Sequence, residues 1–134
     1  GAKGDVTKTH MAWHAKRNGG RDLPSPSVIG DYALVTAMGG VITCYDAKSG
    51  KTHWVDRLDG AFSGSPLVAN GLYYVQNEAG VTYVVRPNEK ALEIVSSNDL
   101  GASEGETFRA TLSPVDGKIY TRSQSILYCL KGEG

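Results

Sequence analysis

Short runs of alternating apolar and polar residues, separated by turns that contain glycine, follow one another along most of the chain. Between residues 31 and 38, Leu34 and Thr36 would lie on one face of a strand and Val35 on the other. A period of two is typical of β-strands, and glycine-rich turns bound such runs. The pattern predicts strands at 25–29, 31–38, 41–46, 52–58, 66–69, 72–77, 81–86 and 91–97.

The same residues return about every 40 positions. The recurring elements are Trp13 as Trp54, Ser25-Pro26 as Ser65-Pro66, Gly30 as Gly71, and Gly40-Val41 as Gly80-Val81. A fixed period of 20 to 50 residues is the sequence signature of a repeat architecture, and four antiparallel strands per 40 residues form one blade of a β-propeller. A β-sandwich would not need the same residues at the same place in each period.

A third copy follows after a longer interval. Gly117-Lys118-Ile119-Tyr120 answers Gly71-Leu72-Tyr73-Tyr74 after 46 residues, and the extra residues fall in the polar stretch 97–107. Ser113-Pro114 resembles a third Ser-Pro, but the register set by the turn glycine places Thr111-Leu112 opposite Ser65-Pro66. We therefore expect an expanded loop before the third copy.

The fold class that follows is all-β, with propeller blades of four antiparallel strands and about three blades present. Closed propellers contain about four to eight blades, so we expect a partial propeller, the C-terminal part of a larger one. The last blade is expected to contain three strands that end near Leu130. The predicted units are 1–16, a linker and outer strand (about 6–15) of a preceding blade; 17–58, a blade with a docking motif; 59–97, a blade with a degenerate motif; and 98–134, an expanded loop and a last, incomplete blade.

Composition and charge exclude several classes of function. Of the 134 residues, 40% are hydrophobic and 21% are charged, as in soluble globular domains, and the 17 glycines fit a chain with many turns. The 14 Lys and Arg balance the 14 Asp and Glu, so no net field favours nucleic acid. No apolar run is long enough to predict a membrane span. The chain begins Gly1-Ala2-Lys3, so the lack of a signal peptide says nothing about export.

One motif carries a family resemblance. Cys44-x-Asp46-x-x-Ser49-Gly50-Lys51-x-x-Trp54 resembles the tryptophan-docking motif of pyrroloquinoline-quinone-like propeller repeats, whose usual form is Ala-x-Asp-x-x-Thr-Gly-Lys-x-x-Trp. With the other repeated elements, the resemblance covers residues from about 10 to 131. In the second repeat, residues 86–91 and Ile94 replace the Asp, Gly and Trp of the motif, so docking there is expected to be weaker or purely aliphatic.

The motif residues are expected to be structural. Trp13 and Trp54 would bury their rings between neighbouring blades, with the indole N–H donated to a backbone acceptor. Gly50 accepts a positive φ in the tight turn, and Asp46 can accept hydrogen bonds from backbone N–H groups of that turn. The predicted docking set is Trp13, Asp46, Ser49, Gly50, Lys51 and Trp54.

The cysteines and the possible metal ligands give no sign of catalysis. Cys44, Val84 and Cys129 fall at equivalent places in three blades, so we expect free, buried thiols, with a disulfide as the alternative. His10 and His14 are four apart, but the surrounding residues alternate as in a strand, which argues against a metal site. The adjacent cysteines of quinoprotein dehydrogenases are absent, and the acidic residues are dispersed. We therefore expect no cofactor, no metal and no enzymatic activity.

Binding is expected at one face of the propeller. The loops between blades (17–24, 59–64 and 98–108) and the turns between the second and third strands (38–40, 77–80 and 122–125) open on the same side, where rigid scaffolds usually carry function. The segment 98–108 is the best candidate to contact a partner. The candidate partner face contains Arg17, Arg21, Asn77, Glu78, Glu104, Glu106 and Arg109.

Three functional hypotheses remain. The first is a non-catalytic repeat module that acts as a protein-binding or assembly scaffold. The second is a fragment of a quinone-dependent oxidoreductase whose cofactor residues lie outside the chain, and the third is a purely structural fragment. The expected partners are other proteins or the remaining blades of a parent propeller, and two copies could form a strand-swapped homodimer. The family resemblance, which includes an outer-membrane assembly lipoprotein, implies an exported protein in the bacterial periplasm or at the cell surface.

Overall fold

The computed structural model describes residues 4–5, 8–16, 18–21 and 23–131. Within these residues, eleven strands form three antiparallel sheets in which each strand pairs with the next one along the chain. The first sheet contains β1 (Ser27–Ile29), β2 (Tyr32–Thr36), β3 (Val41–Asp46) and β4 (Thr52–Arg57); the second contains β5 (Leu67–Ala69), β6 (Leu72–Gln76), β7 (Val81–Val85) and β8 (Ile94–Asp99); the third contains β9 (Ser113–Val115), β10 (Lys118–Arg122) and β11 (Leu127–Lys131). The prediction of an all-β partial propeller with about three blades is confirmed.

Two-residue turns set the period of the repeat. In the second sheet, Asn70 and Gly71 have φ of 51° and 70° between β5 and β6, and Asp116-Gly117 repeats this geometry between β9 and β10. Positive φ at both central positions is the hairpin turn that Asn-Gly and Asp-Gly favour, because its twist matches that of the strands. Gly30 begins the corresponding turn between β1 and β2 with φ of 58°, but Asp31, the second residue of that turn, has no positive φ.

The pairing registers give the true spacing. Ser27, Leu67 and Ser113 each begin an inner strand and lie opposite Leu34, Tyr74 and Tyr120, respectively. The copies are therefore 40 and 46 residues apart. The predicted register of Thr111-Leu112 is confirmed, whereas the alignment of Gly30 with Gly71 is wrong by one residue, because Gly30 stands at the place of Asn70.

The main core lies between the first and second sheets. Leu34, Ile42 and Trp54 of the first sheet pack with Tyr73 and Val75 of the second, and all five side chains are buried. Phe62, in the loop that joins the sheets, belongs to the same cluster. The hydroxyls of Thr36 and Tyr73 lie 2.7 Å apart inside this interface, so the buried phenol keeps a hydrogen-bond partner.

The interface between the second and third sheets is less well filled. Ile119 takes the place of Tyr73, and the register of β7 with β8 places Ser96 opposite Val84, as Trp54 lies opposite Cys44. The expectation that Ile94 replaces the tryptophan is wrong, because the β7–β8 loop is longer than the β3–β4 turn. A cleft of about 900 Å³ lies between these sheets, with Tyr74, Leu112 and Ile119 in its lining.

The expected outer strand at about 6–15 does not form in the described residues 8–16, which contain no strand. The physical reason is that a strand needs a neighbour, and no strand of a preceding blade lies beside this segment in the described chain. The strand expected at 91–97 begins later, at Ile94, and runs to Asp99. In the third sheet, β11 has a neighbour only on the β10 side among the described residues.

Candidate functional site

Backbone hydrogen bonds connect the inter-sheet loops with the β2–β3 and β6–β7 turns, and the Glu106 side chain connects the third loop with the β10–β11 turn. In the first sheet, the N–H of Met38 donates to the carbonyl oxygen of Arg21, and the N–H of Phe62 donates to that of Met38, both at 2.9 Å. Each turn is thus held between the loop before its sheet and the loop after it. We call this surface the loop face; it comprises residues 18–21, 37–40, 58–64, 77–80, 100–112 and 123–126.

The second sheet repeats this arrangement. The N–H of Glu78 donates to the carbonyl oxygen of Ala61 at 2.7 Å, and the N–H of Phe108 donates to the carbonyl oxygen of Glu78 at 2.9 Å. Phe62 and Phe108 are the two phenylalanines of the sequence, both are fully buried, and they lie 46 residues apart. Sequence reasoning missed this pair, although its spacing equals the interval between the second and third copies of the repeat.

Glu78 is the centre of a small polar cluster on the loop face. Its carboxylate accepts a short hydrogen bond from the Ser63 hydroxyl, and the Arg109 Nε lies 3.4 Å from the same carboxylate oxygen. The Glu78 side chain is 23% exposed and that of Arg109 is 67% exposed. The cluster therefore joins two inter-sheet loops and leaves the arginine open to solvent.

The 100–112 loop is anchored rather than free. The phenyl ring of Phe108 lies against Gly80, where a Cβ would come within 2.7 Å of the ring. Near the β10–β11 turn, the Ser125 hydroxyl donates a short hydrogen bond to Glu106. Hydrogen bonds from the hydroxyls of Ser123 and Ser125 lower the pKa of the Glu106 carboxyl. Glu104, which precedes both anchors in the chain, is exposed.

The other predicted face residues divide into two groups. Asn77 is only 4% exposed, and its side chain accepts hydrogen bonds from the N–H groups of Ala79 and Val81 and donates to the Asp59 carbonyl oxygen. It therefore holds the turn and presents no surface to a partner, contrary to expectation. Arg21 is exposed, and Arg17 lies outside the described residues.

The docking motif connects one sheet to the next. The indole N–H of Trp54 donates to the carbonyl oxygen of Asn88 at 2.8 Å, and that of Trp13 donates to the carbonyl oxygen of Ala47 at 3.0 Å, each across 34 residues. The Trp13 ring covers Gly50, where a Cβ would come within 2.4 Å of the ring, and φ is +72°. Glycine is thus required at this position for a close approach.

Asp46 builds the turn that receives the Trp13 ring. Its Oδ1 accepts hydrogen bonds from the N–H groups of Lys48 and Ser49, at 3.1 and 2.7 Å, and from the Ser49 hydroxyl at 2.7 Å. These bonds, led by that of the Ser49 hydroxyl, lower the pKa of the Asp46 carboxyl. The Lys51 carbonyl oxygen accepts from the Asp46 N–H, so Lys51 acts through its backbone, and its side chain is exposed.

Asn88 stabilises the equivalent turn of the second sheet. Its Oδ1 accepts hydrogen bonds from the N–H groups of Lys90 and Ala91, at 2.8 and 3.0 Å, the same offsets along the chain as at Asp46. Sequence reasoning missed this residue because it aligned the motif on Ile94. The signal was present: Asn88 stands eight residues before Ser96, as Asp46 stands eight before Trp54.

The two cysteines differ in environment. Both are free; Cys44 is buried, and burial raises the pKa of its thiol to about 11. Cys129 is exposed, so the expectation of two buried thiols is wrong for this residue. Cys44, which occupies the equivalent place in the first sheet, faces the second sheet and is covered by it. Cys129 is uncovered because no described sheet follows the third.

Neither a metal-binding cluster nor a membrane-spanning helix is found among the described residues. No group of three or more His, Cys, Asp or Glu side chains within them is placed to hold a metal ion. The described part of the chain contains no helix that is long and apolar enough to cross a membrane.

Comparison with known proteins gives the following. Residues 5–124 match the family described as outer membrane protein assembly factor BamB. A comparison with curated protein sequences gives no match. Among solved structures, BamB from Moraxella catarrhalis aligns with a TM-score of 0.66 at 22% identity, over 82% of this chain and 33% of that one.

Two enzymes with the same architecture also align. Quinohemoprotein alcohol dehydrogenase ADHIIG from Pseudomonas putida gives a TM-score of 0.62 at 20% identity, over 78% of this chain and 17% of that one. The quinohemoprotein alcohol dehydrogenase from Comamonas testosteroni gives 0.61 at 16%, over 77% and 17%. The chain thus spans a third or less of each structure, and at these identities the likeness shows the fold alone.

Proposed function

Because the chain belongs to the family of the outer membrane protein assembly factor BamB, we propose that it is a non-catalytic propeller module that binds other proteins through its loop face. In this proposal it acts as an assembly scaffold within an exported bacterial protein, in the periplasm or at the cell surface. Besides partners at the loop face, the proposal includes a second copy of the chain, bound by strand exchange.

The observation that carries the proposal is the ladder of backbone hydrogen bonds across the loop face. Arg21, Met38 and Phe62 form one part of it, and Ala61, Glu78 and Phe108 repeat it. Loops held in this way lose little conformational entropy on binding, which favours recognition of a partner surface. Loops positioned by a rigid scaffold are also where binding residues concentrate.

Charged side chains give this face its expected specificity. Arg21, Glu104 and Arg109 are exposed on it. Glu104 and Arg109 lie in the 100–112 loop, which is anchored at Phe108 and Glu106. Both signs of charge are present, so we expect a partner with a complementary mixed surface rather than a polyanion. Exposed charges of this kind affect mainly association rate and specificity.

The test starts from the 134-residue chain immobilised on a resin and exposed to a cell-envelope extract of the source bacterium. A captured protein is identified by mass spectrometry, produced separately and titrated against the chain. We expect the double variant Glu104→Lys and Arg109→Glu to weaken binding at least tenfold. The matched control is Lys48→Glu, at the opposite end of the first sheet, which should leave the affinity unchanged.

Two results would overturn the proposal. One is a partner whose affinity responds to Lys48→Glu as strongly as to the loop-face variants. The other is dye reduction by the chain after addition of pyrroloquinoline quinone and calcium with an alcohol substrate, which would favour the oxidoreductase alternative.

A further inference from the structure

The contact between the first two sheets has three parts. Cys44 on β3 lies directly opposite Trp54 on β4. The indole N–H of Trp54 donates to the Asn88 carbonyl oxygen of the second sheet, and the Cys44 Sγ lies 3.7 Å from the same oxygen. A complete junction therefore needs a residue of the third strand, a tryptophan of the outer strand and a turn carbonyl of the next sheet.

Two of these parts are present on the other side of the first sheet, where Trp13 meets the β3–β4 turn. Trp13 donates to the carbonyl oxygen of Ala47, and its ring centroid lies 6.4 Å from that of Tyr45, with the planes 30° apart. The tryptophan is thus docked in the way that Trp54 is docked. Residues 10–16, which we call the docking segment, nevertheless pair with no strand in the described chain.

The missing part lies in the third sheet. Cys129 stands opposite Tyr120, as Cys44 stands opposite Leu34, so it occupies the same place in its sheet. It is exposed, and on the outer side of β11 no strand of the described residues pairs with it. Leu127, on the same strand, is 72% exposed.

We propose that the docking segment of one copy pairs antiparallel with β11 of a second copy and so completes this junction. The register of β3 with β4 places Trp13 opposite Cys129, His14 opposite Tyr128 and Ala15 opposite Leu127. Two such junctions close a ring of six four-stranded blades, within the range of about four to eight that propellers use. The inference goes beyond the proposed function, because this junction uses the docking segment and β11 and does not involve the loop face.

Charge complementarity supports this partner. Tyr32 of the first sheet lines a surface depression together with Asn88 and the rest of the β7–β8 loop. In the proposed junction, the third sheet takes the place of the first sheet, and the first sheet of the other copy takes the place of the second. Lys118 then stands where Tyr32 stands, and Asp46 of the other copy stands where Asn88 stands. A cation of one copy then lies beside a carboxylate of the other, where opposite charges favour the correct register.

The first test measures the register. Two variants are made in a Cys129→Ser background, one with Ala15→Cys and the other with Leu127→Cys, and the purified chains are mixed under mild oxidation. Residues directly opposite each other on antiparallel strands have Cα atoms about 4.5–5.5 Å apart, which suits a disulfide. We expect a covalent heterodimer from this pair and much less from Ala15→Cys mixed with Tyr128→Cys, which is one residue out of register.

The second test uses the natural thiol. Cys129 should react with Ellman's reagent at least tenfold more slowly at 100 μM chain than at 1 μM, because the donated strand covers it, whereas buried Cys44 should react only on unfolding. Sedimentation should give twice 14.3 kDa at the higher concentration. Trp13→Ala should keep the chain monomeric and Cys129 reactive, and Glu89→Ala, at an exposed position of the β7–β8 loop, should behave as wild type.

A wild-type chain that stays monomeric at 100 μM, or a Cys129 thiol equally reactive at both concentrations, would overturn this inference. Either result leaves the loop face intact, and the capture experiment with Glu104→Lys and Arg109→Glu then decides the proposed function separately.

Discussion

Single side chains decide where each sheet receives the tryptophan of its neighbour. Asp46 and Asn88 differ in charge, yet each accepts hydrogen bonds from the N–H groups two and three residues later. The shared requirement is a carbonyl-type oxygen on a short side chain, which Asp and Asn both supply. A motif read as a fixed string of letters loses this equivalence, whereas the hydrogen-bond pattern preserves it.

Replacement of Asn88 tests this equivalence. Asn88→Ala removes the acceptor for two N–H groups of the turn, so we expect the free energy of unfolding to fall by about 1–2 kcal/mol, the usual net contribution of one or two hydrogen bonds. Asn88→Asp keeps the acceptor but loses the amide N–H bonds to the Arg86 and Ala91 carbonyl oxygens, so it should recover only part of this loss. Urea denaturation followed by tryptophan fluorescence measures both, and equal losses would show that the hydrogen bonds accepted by the side chain do not stabilise the turn.

Asp46 predicts a dependence of stability on pH. Its folded pKa lies below the ordinary value for an aspartate, because the Ser49 hydroxyl and the turn N–H groups favour the ionised carboxylate. The stabilisation is therefore present above the unfolded pKa and is lost as the pH falls through the folded pKa.

In Asp46→Asn, the neutral amide keeps an acceptor and does not titrate. We expect the loss of stability between pH 5 and pH 2 to be smaller in this variant than in wild type, as measured by thermal unfolding across that range. An unchanged pH profile would contradict the assignment.

At the scale of strands and sheets, the sequence was most informative where local pattern and neighbours agree. The alternation around Leu34 predicted β2 correctly, because short turns connect β2 to β1 and to β3 and so place a pairing partner on each side of it. The alternation around Trp13 predicted a strand that does not form, because pairing depends on a partner and not on the pattern alone. The prediction that Cys129 is buried is wrong for the same reason, because the side chain needs a following sheet to cover it.

The candidate site was predicted to the level of loops and not of side chains. The arrangement of loops on one face follows from the order of strands, so it could be expected before the structure. Whether a side chain such as Asn77 turns inward depends on the N–H groups left unpaired in its own turn, here those of Ala79 and Val81. No periodicity of the sequence reports that.

The poorly filled interface between the second and third sheets gives a prediction at this scale. Ile119→Tyr introduces the residue that stands at the equivalent place in the second sheet, where Tyr73 fills the core and bonds to Thr36. The new ring would enter the 900 Å³ cleft, and its hydroxyl would approach Gln76, the counterpart of Thr36.

We expect a gain of about 1 kcal/mol in unfolding free energy from the apolar area that is buried. Ile119→Ala, which enlarges the cleft, is the matched control and should destabilise by about 2–4 kcal/mol. A loss of stability in Ile119→Tyr would show that the cleft cannot accommodate the ring.

The whole molecule is uneven in its packing. Leu34, Ile42 and Val75 in the first two sheets are fully buried, whereas Ile119 and Leu130 of the third sheet remain partly exposed. Regions with few buried apolar contacts open at lower free energy than the core does. The third sheet should therefore be the first part of the chain to open.

Hydrogen exchange at 1 μM chain, where a second copy does not cover β11, measures this. We expect amides of β10 and β11 to exchange at least tenfold faster than those of β2 and β3. Phe108→Ala should widen the difference, because the Phe108 ring packs against Gly80 and against Tyr128 of β11. Uniform exchange across all three sheets would show that the chain opens as one cooperative unit.

The paired anchors of the inter-sheet loops also define where the chain can accept foreign sequence. The Leu58 and Leu100 N–H groups bond the carbonyl oxygens of Gly40 and Gly80, and Phe62 and Phe108 close the two loops. Three residues lie between the anchors of the first loop and seven between those of the second, with no change in how either sheet is held. Residues 102–105, which precede the contact of Glu106 with Ser125, are therefore a natural graft site, in which an affinity peptide or epitope could be displayed without disturbing the blades on either side.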